Sequence, residues 1–334
     1  MSAALDTKSE IVKLARLLDL DEDELEYLKP VAPATLRELR AKVTDVVFGV
    51  GAGGISRLAA HSDLVPPQLI AAITREAVGP FLTARVAGLV EPRLAVKVVK
   101  RLSPEFLTEV AIAMDPRRAH DVIGAMPPEV VLDVAKNLAD RGEWIVMGSF
   151  AGHLDPATAS ATFSAVTDEG LLKTAFVMED KSQLGQQLSM VDDERLDGIL
   201  LVAAEDDLWP EALDLLINLR GHQRQRVIDA VVQQEPLVID SLIESLYEHD
   251  LWPSVFDVVV EATDHAAVAD AVLRARAPVF RALIDAVNEH AMWKTLRQFL
   301  DDDVGARRNQ FFKRAGKLKL LEKLGPVSDM IEVA

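Results

Sequence analysis

Cysteine is absent from all 334 residues. That excludes disulfides, thiolate zinc sites, iron–sulfur clusters and cysteine nucleophiles. Aromatic residues are scarce, at 5%, so a core must be built from Ala, Val, Leu and Ile. Closely packed short helices use such side chains better than a β-sandwich, which draws on aromatic and Thr residues. Long apolar runs are also missing: the longest, Val46–Ile55, spans ten residues and holds four glycines, against about 20 for a membrane-spanning helix. The amino-terminus, Met1-Ser-Ala-Ala-Leu-Asp6, has neither the basic start nor the apolar stretch of a secretory leader. These absences predict a cytoplasmic chain with no transmembrane segment. Positive charge is in deficit too: the formal net charge is −17, a field that repels phosphate backbones, so no nucleic-acid partner is expected.

Catalytic motifs are missing as well. The seven histidines are scattered, and none forms a His-Glu-x-x-His pattern; no Gly-x-Ser-x-Gly elbow or Gly-x-x-x-x-Gly-Lys loop occurs. Gly49-Val-Gly-Ala-Gly-Gly54 matches the dinucleotide fingerprint taken alone. It follows a helical pattern rather than a strand, and no βαβ unit surrounds it, so it reads as a glycine-rich break where helices pack. Acidic turns at 192–194, 205–207, 248–250 and 301–303 read as helix caps in preference to cation sites. No catalytic, cofactor-binding or metal-ligating residue is assigned.

What the sequence does contain is periodicity. Prolines stand at Pro80, Pro92, Pro104, Pro116 and Pro128, each 12 residues after the last. Apolar residues share the register after the last four of them. Three positions on come Ala95, Leu107, Ala119 and Val131; six on, Val98, Val110, Val122 and Val134; seven on, Val99, Ala111, Ile123 and Ala135; ten on, Leu102, Met114, Met126 and Leu138. Those offsets fall on one face of a 3.6-residue helix, and proline suits the first turn, where its missing N–H is not needed. Glu91, Ser103 and Asp115 stand where N-caps belong. Each unit is predicted to be a helix of about nine residues, roughly 13 Å long, too small to stand alone and stable only when its apolar stripe is buried on neighbours. A second block continues with Pro156, Asp168, Asp180 and Asp193 as starts.

A longer period overlies the short one. Trp144, Trp209, Trp252 and Trp293 recur at spacings of 41 to 65 residues, and Asp-Leu-Trp-Pro occurs twice, at 207–210 and 250–253. Residues 227–252 align with 268–293 without a gap. Such spacings suit helical pairs or triplets. The predicted fold is therefore all-α, a helical-repeat superhelix (α-solenoid) of short stacked helices with no β-sheet. It divides into a 1–79 helical region, repeat blocks at 80–144 and 145–209, longer helical pairs over 210–300, and a basic terminal helix at 301–334. In the first region, helices are expected at Lys8–Leu18, Asp21–Leu28 and from Pro33.

The run Leu102-Ser-Pro-Glu-Phe-Leu-Thr-Glu-Val-Ala-Ile-Ala-Met114, continued by Met126-Pro-Pro-Glu-Val-Val131, resembles the short-helix repeats of the cytoplasmic N-domain of MgtE magnesium transporters and of the flagellar motor-switch protein FliG. The resemblance covers about 80–205, and 210–300 more loosely. It implies a regulatory or protein-binding superhelix. The chain departs from the transporters in lacking a transmembrane region, and no metal site carries over.

Two groups of residues are the candidates for partner binding. Trp209, Trp252 and Trp293 are either wedges at repeat joints or stacking surfaces; Trp209 and Trp252 precede proline, which predicts a non-helical backbone there. The basic tail over 307–324 holds seven Lys/Arg and one Glu, leaving −23 on the rest. Arg307, Arg308, Phe311, Phe312, Lys313, Arg314 and Lys317 give it a basic and an apolar side. It is either a cap on the protein's own acidic body or a helix for a partner or a membrane surface through 306–324. The leading functional reading is a non-catalytic scaffold that holds a protein partner in a superhelical groove. The alternative is a carrier or sensor of an apolar, lipid-like molecule, in keeping with a mean hydropathy of +0.14; a third is an enzyme with no recognised motif.

Overall fold

The computed structural model describes residues 3–49, 65–259, 261, 265–302 and 306–330. Helix makes up 77% of it, no strand occurs among the described residues, and the fold is all-α. Positions 50–54 of the glycine-rich break and Asp303 of the last acidic turn lie outside the described residues. The chain divides into two compact units, one of residues 6–183, the other of 184–334 with 1–5.

In the amino-terminal unit α1 (Ala3–Leu18), a 3-10 turn (Glu22–Leu28) and α2 (Pro33–Gly49) close around Ile11, Leu14, Ala15, Leu25 and Leu36. Glu10, 1% exposed, lies among them. Its carboxylate accepts from Lys13 at 3.2 Å and from Arg37 and Arg40 at 3.1 Å each. Arg40 also pairs with Glu179 at 2.7 Å, and Ser9 Oγ donates to the Phe176 carbonyl at 3.2 Å. These bonds tie α1 to Phe176 and α2 to Glu179, near the end of the unit.

The proline register is built as short helices: α3 (Pro67–Ile73), α4 (Gly79–Ala87), α5 (Pro92–Val99), α6 (Pro104–Ile112), α7 (His120–Gly124), α8 (Pro128–Asp140), α9 (Trp144–Ala151), α10 (Pro156–Ser164) and α11 (Asp168–Phe176). Proline occupies the first or second position of six of them. Ser103 Oγ caps α6 by accepting from Phe106 N at 3.3 Å, and Asp155 caps α10; Glu91 makes no side-chain cap. One proline breaks the rule. Pro116 lies in a turn, and α7 starts four residues later, at His120. The buried Asp115 carboxylate is the cause: it accepts from the Arg117 N–H at 3.2 Å and from its guanidinium at 3.0 and 2.9 Å, which closes a turn that competes with the helix. That turn presses on Gly88, where a Cβ would stand 2.1 Å from the Arg118 carbonyl oxygen.

Most of these helices pack on the next but one. α3 lies on α5 and α5 on α7; α4 lies on α6, α6 on α8 and α8 on α10. Alternate helices thus form two rows.

The carboxy-terminal unit opens with α12 (Leu184–Leu188) and then repeats a triplet three times: α13 (Asp193–Glu205), α14 (Trp209–Asn218) and α15 (Gly221–Val232); α16 (Pro236–Glu248), α17 (Trp252–Val259) and α18 (Ala266–Arg274); α19 (Ala277–Glu289), α20 (Trp293–Asp302) and α21 (Ala306–Lys317). A 3-10 helix, Leu321–Met330, follows. First helices stack on first helices, α13 on α16 on α19, and α18 carries α21. The basic tail is therefore the third helix of the third triplet. Each first helix ends the same way: Asp207, Asp250 and Ala291 take φ of 54°, 53° and 53°, and the next N–H (Leu208, Leu251, Met292) donates five residues back at 3.0, 2.9 and 2.9 Å. This is a Schellman-type stop, and the tryptophan follows at once as the first residue of the next helix. Trp209 and Trp252 thus begin helices rather than standing outside them, because the proline after each falls in the first turn, where no N–H is required.

Alanine pays about 1–2 kcal/mol to sit in the left-handed region, while aspartate tolerates it and glycine does so freely. Ala291→Gly is therefore expected to raise the stability of this unit by about 0.5–1 kcal/mol, after allowing for glycine's greater freedom in the unfolded chain. Chemical denaturation checks it; an unchanged or lower midpoint would show that Ala291 carries no strain.

Candidate functional site

The stripe defined by the proline register does not close on itself. Fifteen of its sixteen residues, all but Ala119, line a cavity of about 720 Å³ walled by helices of both rows. Some stripe residues bury fully against the next helix of their own row, as Val98 does with Ala71. Others of the stripe, among them Ala95, Val99, Leu107, Met114, Met126, Val131 and Val134, stay partly exposed because they face the cavity. Met114 and Met126 add unbranched side chains that adapt to an irregular occupant.

None of the 35 lining residues is charged, and the polar ones are four threonines. Thr83 and Thr162 engage their hydroxyls within their own helices, on the carbonyls of Gly79 at 2.6 Å and Thr158 at 2.9 Å. Thr174 differs. It is 3% exposed, and its buried hydroxyl has no hydrogen-bond partner. Its placement follows from Gly148: α9 approaches α11 so closely that a Cβ at 148 would lie 2.9 Å from the Thr174 carbonyl oxygen. At the other end of the helix series Ile73 and Leu82 line the cavity and are also exposed to solvent, at 45% and 43%. They mark its entrance.

Two histidines far apart in sequence are brought together beside the wall. His120 Nδ1 and His153 Nδ1 lie 3.0 Å apart, close in sequence to the lining residues Val122 and Leu154. Burial, with His120 adding to it and Asp115 opposing, holds the His153 imidazole below the usual histidine range. Nothing in the spacing of residues 120 and 153 signals the contact, since each sits at the edge of a different helix.

The residues proposed from sequence for partner binding lie in the other unit. Trp209 and Trp252 are buried, and Trp209 Nε1 donates to Ser241 Oγ at 3.0 Å; Trp293 is half-buried. The three stand at successive triplet joints. Phe311 and Phe312 are buried, with Phe311 5.1 Å from the Phe280 ring. The Arg314 guanidinium stacks on that ring at 4.7 Å and donates to the Val272, Leu273 and Ala275 carbonyls at the end of α18. Arg307 pairs with Asp270 at 2.7 Å, and Arg308 is half-buried. Lys313 and Lys317 are the members of the set whose side chains are exposed. The apolar side of the tail thus lies against its own unit.

The acidic turns are engaged structurally. Asp192 caps Arg195 N at 2.8 Å, Asp193 pairs with Arg226 at 2.6 Å, and Asp207 meets His249 Nε2 at 3.3 Å. Among the described residues no group of three or more His, Asp or Glu is placed to hold a metal ion. No protein-family model, no curated protein and no solved structure matches the chain.

Proposed function

We propose that the helices from α3 to α11 form a short superhelical array, and that the array holds one uncharged, elongated apolar molecule, making the protein a carrier or sensor of a neutral lipid-like compound. The cavity carries this reading. Its volume falls within the range of small-molecule sites, roughly 300–1,000 Å³. Without an occupant its apolar wall is left in contact with water, at about 25 cal/mol for each Å² that an apolar molecule could cover. An occupant offsets that cost. The wall chooses the occupant's chemistry: a carboxylate or phosphate inside would stand unpaired in an apolar surround, at several kcal/mol. A single hydroxyl, ketone or ester oxygen costs far less to bury than a charge. The alternation of two helix rows, and the likeness of 80–205 to MgtE-type and FliG-type repeats, support the superhelical arrangement.

Nile red, an uncharged solvatochromic dye, tests the reading. The protein is expected to take it up with a blue-shifted emission and to release it to 1-hexadecanol. Because the wall offers no charged partner, palmitate, a carboxylate of the same chain length, should compete at least about tenfold more weakly than hexadecanol. Native mass spectrometry of protein from its own host should show a bound neutral lipid. No dye uptake, together with a co-purified polypeptide, would instead establish the protein-partner scaffold.

A further inference from the structure

The entrance to the cavity has its own surface chemistry. Fifteen large apolar side chains are exposed among the described residues, and five of them, Leu69, Ile73, Phe81, Leu82 and Leu89, fall within 21 consecutive positions on α3, α4 and the turn after α4. Ile73 and Leu82 belong to the cavity wall as well, so the apolar surface is continuous with the cavity. Scattered exposed leucines need no explanation, but a cluster at the mouth of an apolar cavity does.

Charge goes with it. Residues 65–102 hold Arg75, Arg85, Arg93, Lys97, Lys100 and Arg101 against Glu76 and Glu91, a local surplus of four positive charges in a chain of net charge −17. Five of the six cations are exposed. Arg85 lies over the exposed Phe81 ring at 5.5 Å, and Arg75 stands two residues from Ile73. Apolar side chains able to enter the acyl boundary, accompanied by Lys and Arg, are the combination that binds anionic lipid surfaces. The acidic remainder of the chain does not cancel it: at physiological salt charges are screened beyond about 8 Å, so the local balance decides.

We propose that the α3–α5 end of the array docks on an anionic membrane surface through Phe81, Leu82 and Leu89, with Lys97 and Lys100 meeting lipid phosphates, so that the cavity mouth opens onto the bilayer and its occupant passes between the two without crossing water. The proposal rests on the cavity reading above for the occupant, but the docking itself is measured separately.

Full-length protein is floated with phosphatidylcholine vesicles containing phosphatidylglycerol and, in parallel, with phosphatidylcholine alone. Binding to the anionic vesicles should be at least tenfold stronger and should fall with added salt. Phe81→Ser with Leu89→Ser, and separately Lys97→Glu with Lys100→Glu, should each reduce it at least tenfold. All four positions are exposed, and an unchanged melting point confirms an intact fold. Lys313→Glu with Lys317→Glu, in the basic tail, should leave it unchanged. Equal binding to both vesicle types, or loss with the tail variant alone, overturns the docking surface. Nile red uptake from vesicle-free solution separates the two readings: uptake without flotation sinks the docking and leaves the carrier, whereas flotation without uptake sinks the carrier and leaves the docking.

Discussion

Glu10→Ala is expected to destabilise the amino-terminal unit by about 3–5 kcal/mol, the range for removing one partner from a buried ionic cluster. The native carboxylate is 1% exposed and compensates Lys13, Arg37 and Arg40 together. Arg37 can turn to water, being half-exposed, but Lys13 is 6% exposed and cannot. Burial pushes the Lys13 ammonium below the ordinary lysine range, with Glu179 and Glu10 opposing; deleting Glu10 removes one of those two supports. For a unit of this size the loss amounts to roughly 10 °C in Tm. The pH dependence gives a second reading. Burial alone would raise the Glu10 carboxyl, but Lys13, Arg40 and Arg37 outweigh it and hold it below the usual carboxylate range. As pH falls, the unfolded chain takes up the proton first, so this contribution is complete above the ordinary glutamate value and is lost as pH drops through the lower folded one. Glu10→Gln should flatten that part of the acid limb. A Glu10→Ala protein that melts within about 1 kcal/mol of wild type would show that the cluster stabilises nothing net, an outcome that buried ion pairs sometimes give.

Prolines and stripes made the short helices legible, because proline at a helix start and a 3.6-residue period are local signals. The departure at Pro116 was not legible: whether Asp115 caps a helix or closes its own turn depends on where the Arg117 guanidinium goes, and both arrangements suit the same letters. The tryptophan spacing left helical pairs and triplets both open, and the tail's charge hid that three helices, α13, α16 and α19, are each followed by two more. The tail's Arg314 binds the carbonyls that end α18, a contact 39 to 42 residues distant along the chain that no local pattern encodes. Most instructive is the stripe itself. Offsets of 3, 6, 7 and 10 say which face of each helix leaves solvent, but they do not say whether the two rows meet. Ala95, Ala111 and Ala135 line the cavity and are too small to fill it. The cavity therefore depends on the distance between the rows, which the periodicity along any one helix does not encode.

That origin gives the sharpest test of the site. Ala95→Phe combined with Val131→Phe places one ring from each row into the cavity, at positions that are only partly buried in the native wall. A bound apolar chain gains about 0.8 kcal/mol for each methylene taken out of water. Displacing four of them would remove roughly 3 kcal/mol, on the order of 100-fold in Kd, and the two rings together occupy at least that much length. Stability should move the other way: both rings fill a void rather than overpack a closed core, so the melting point is expected to hold or rise, in contrast to the roughly 1–3 kcal/mol that overpacking costs. Nile red titration and thermal melting of the same sample read the two effects together. Weaker binding with a preserved melt identifies the space between the rows as the ligand site. Full affinity in a folded double variant would mean that whatever the protein binds lies elsewhere, and a melt lowered by several kcal/mol would mean that the rows touch in solution and that the stripe is an ordinary core.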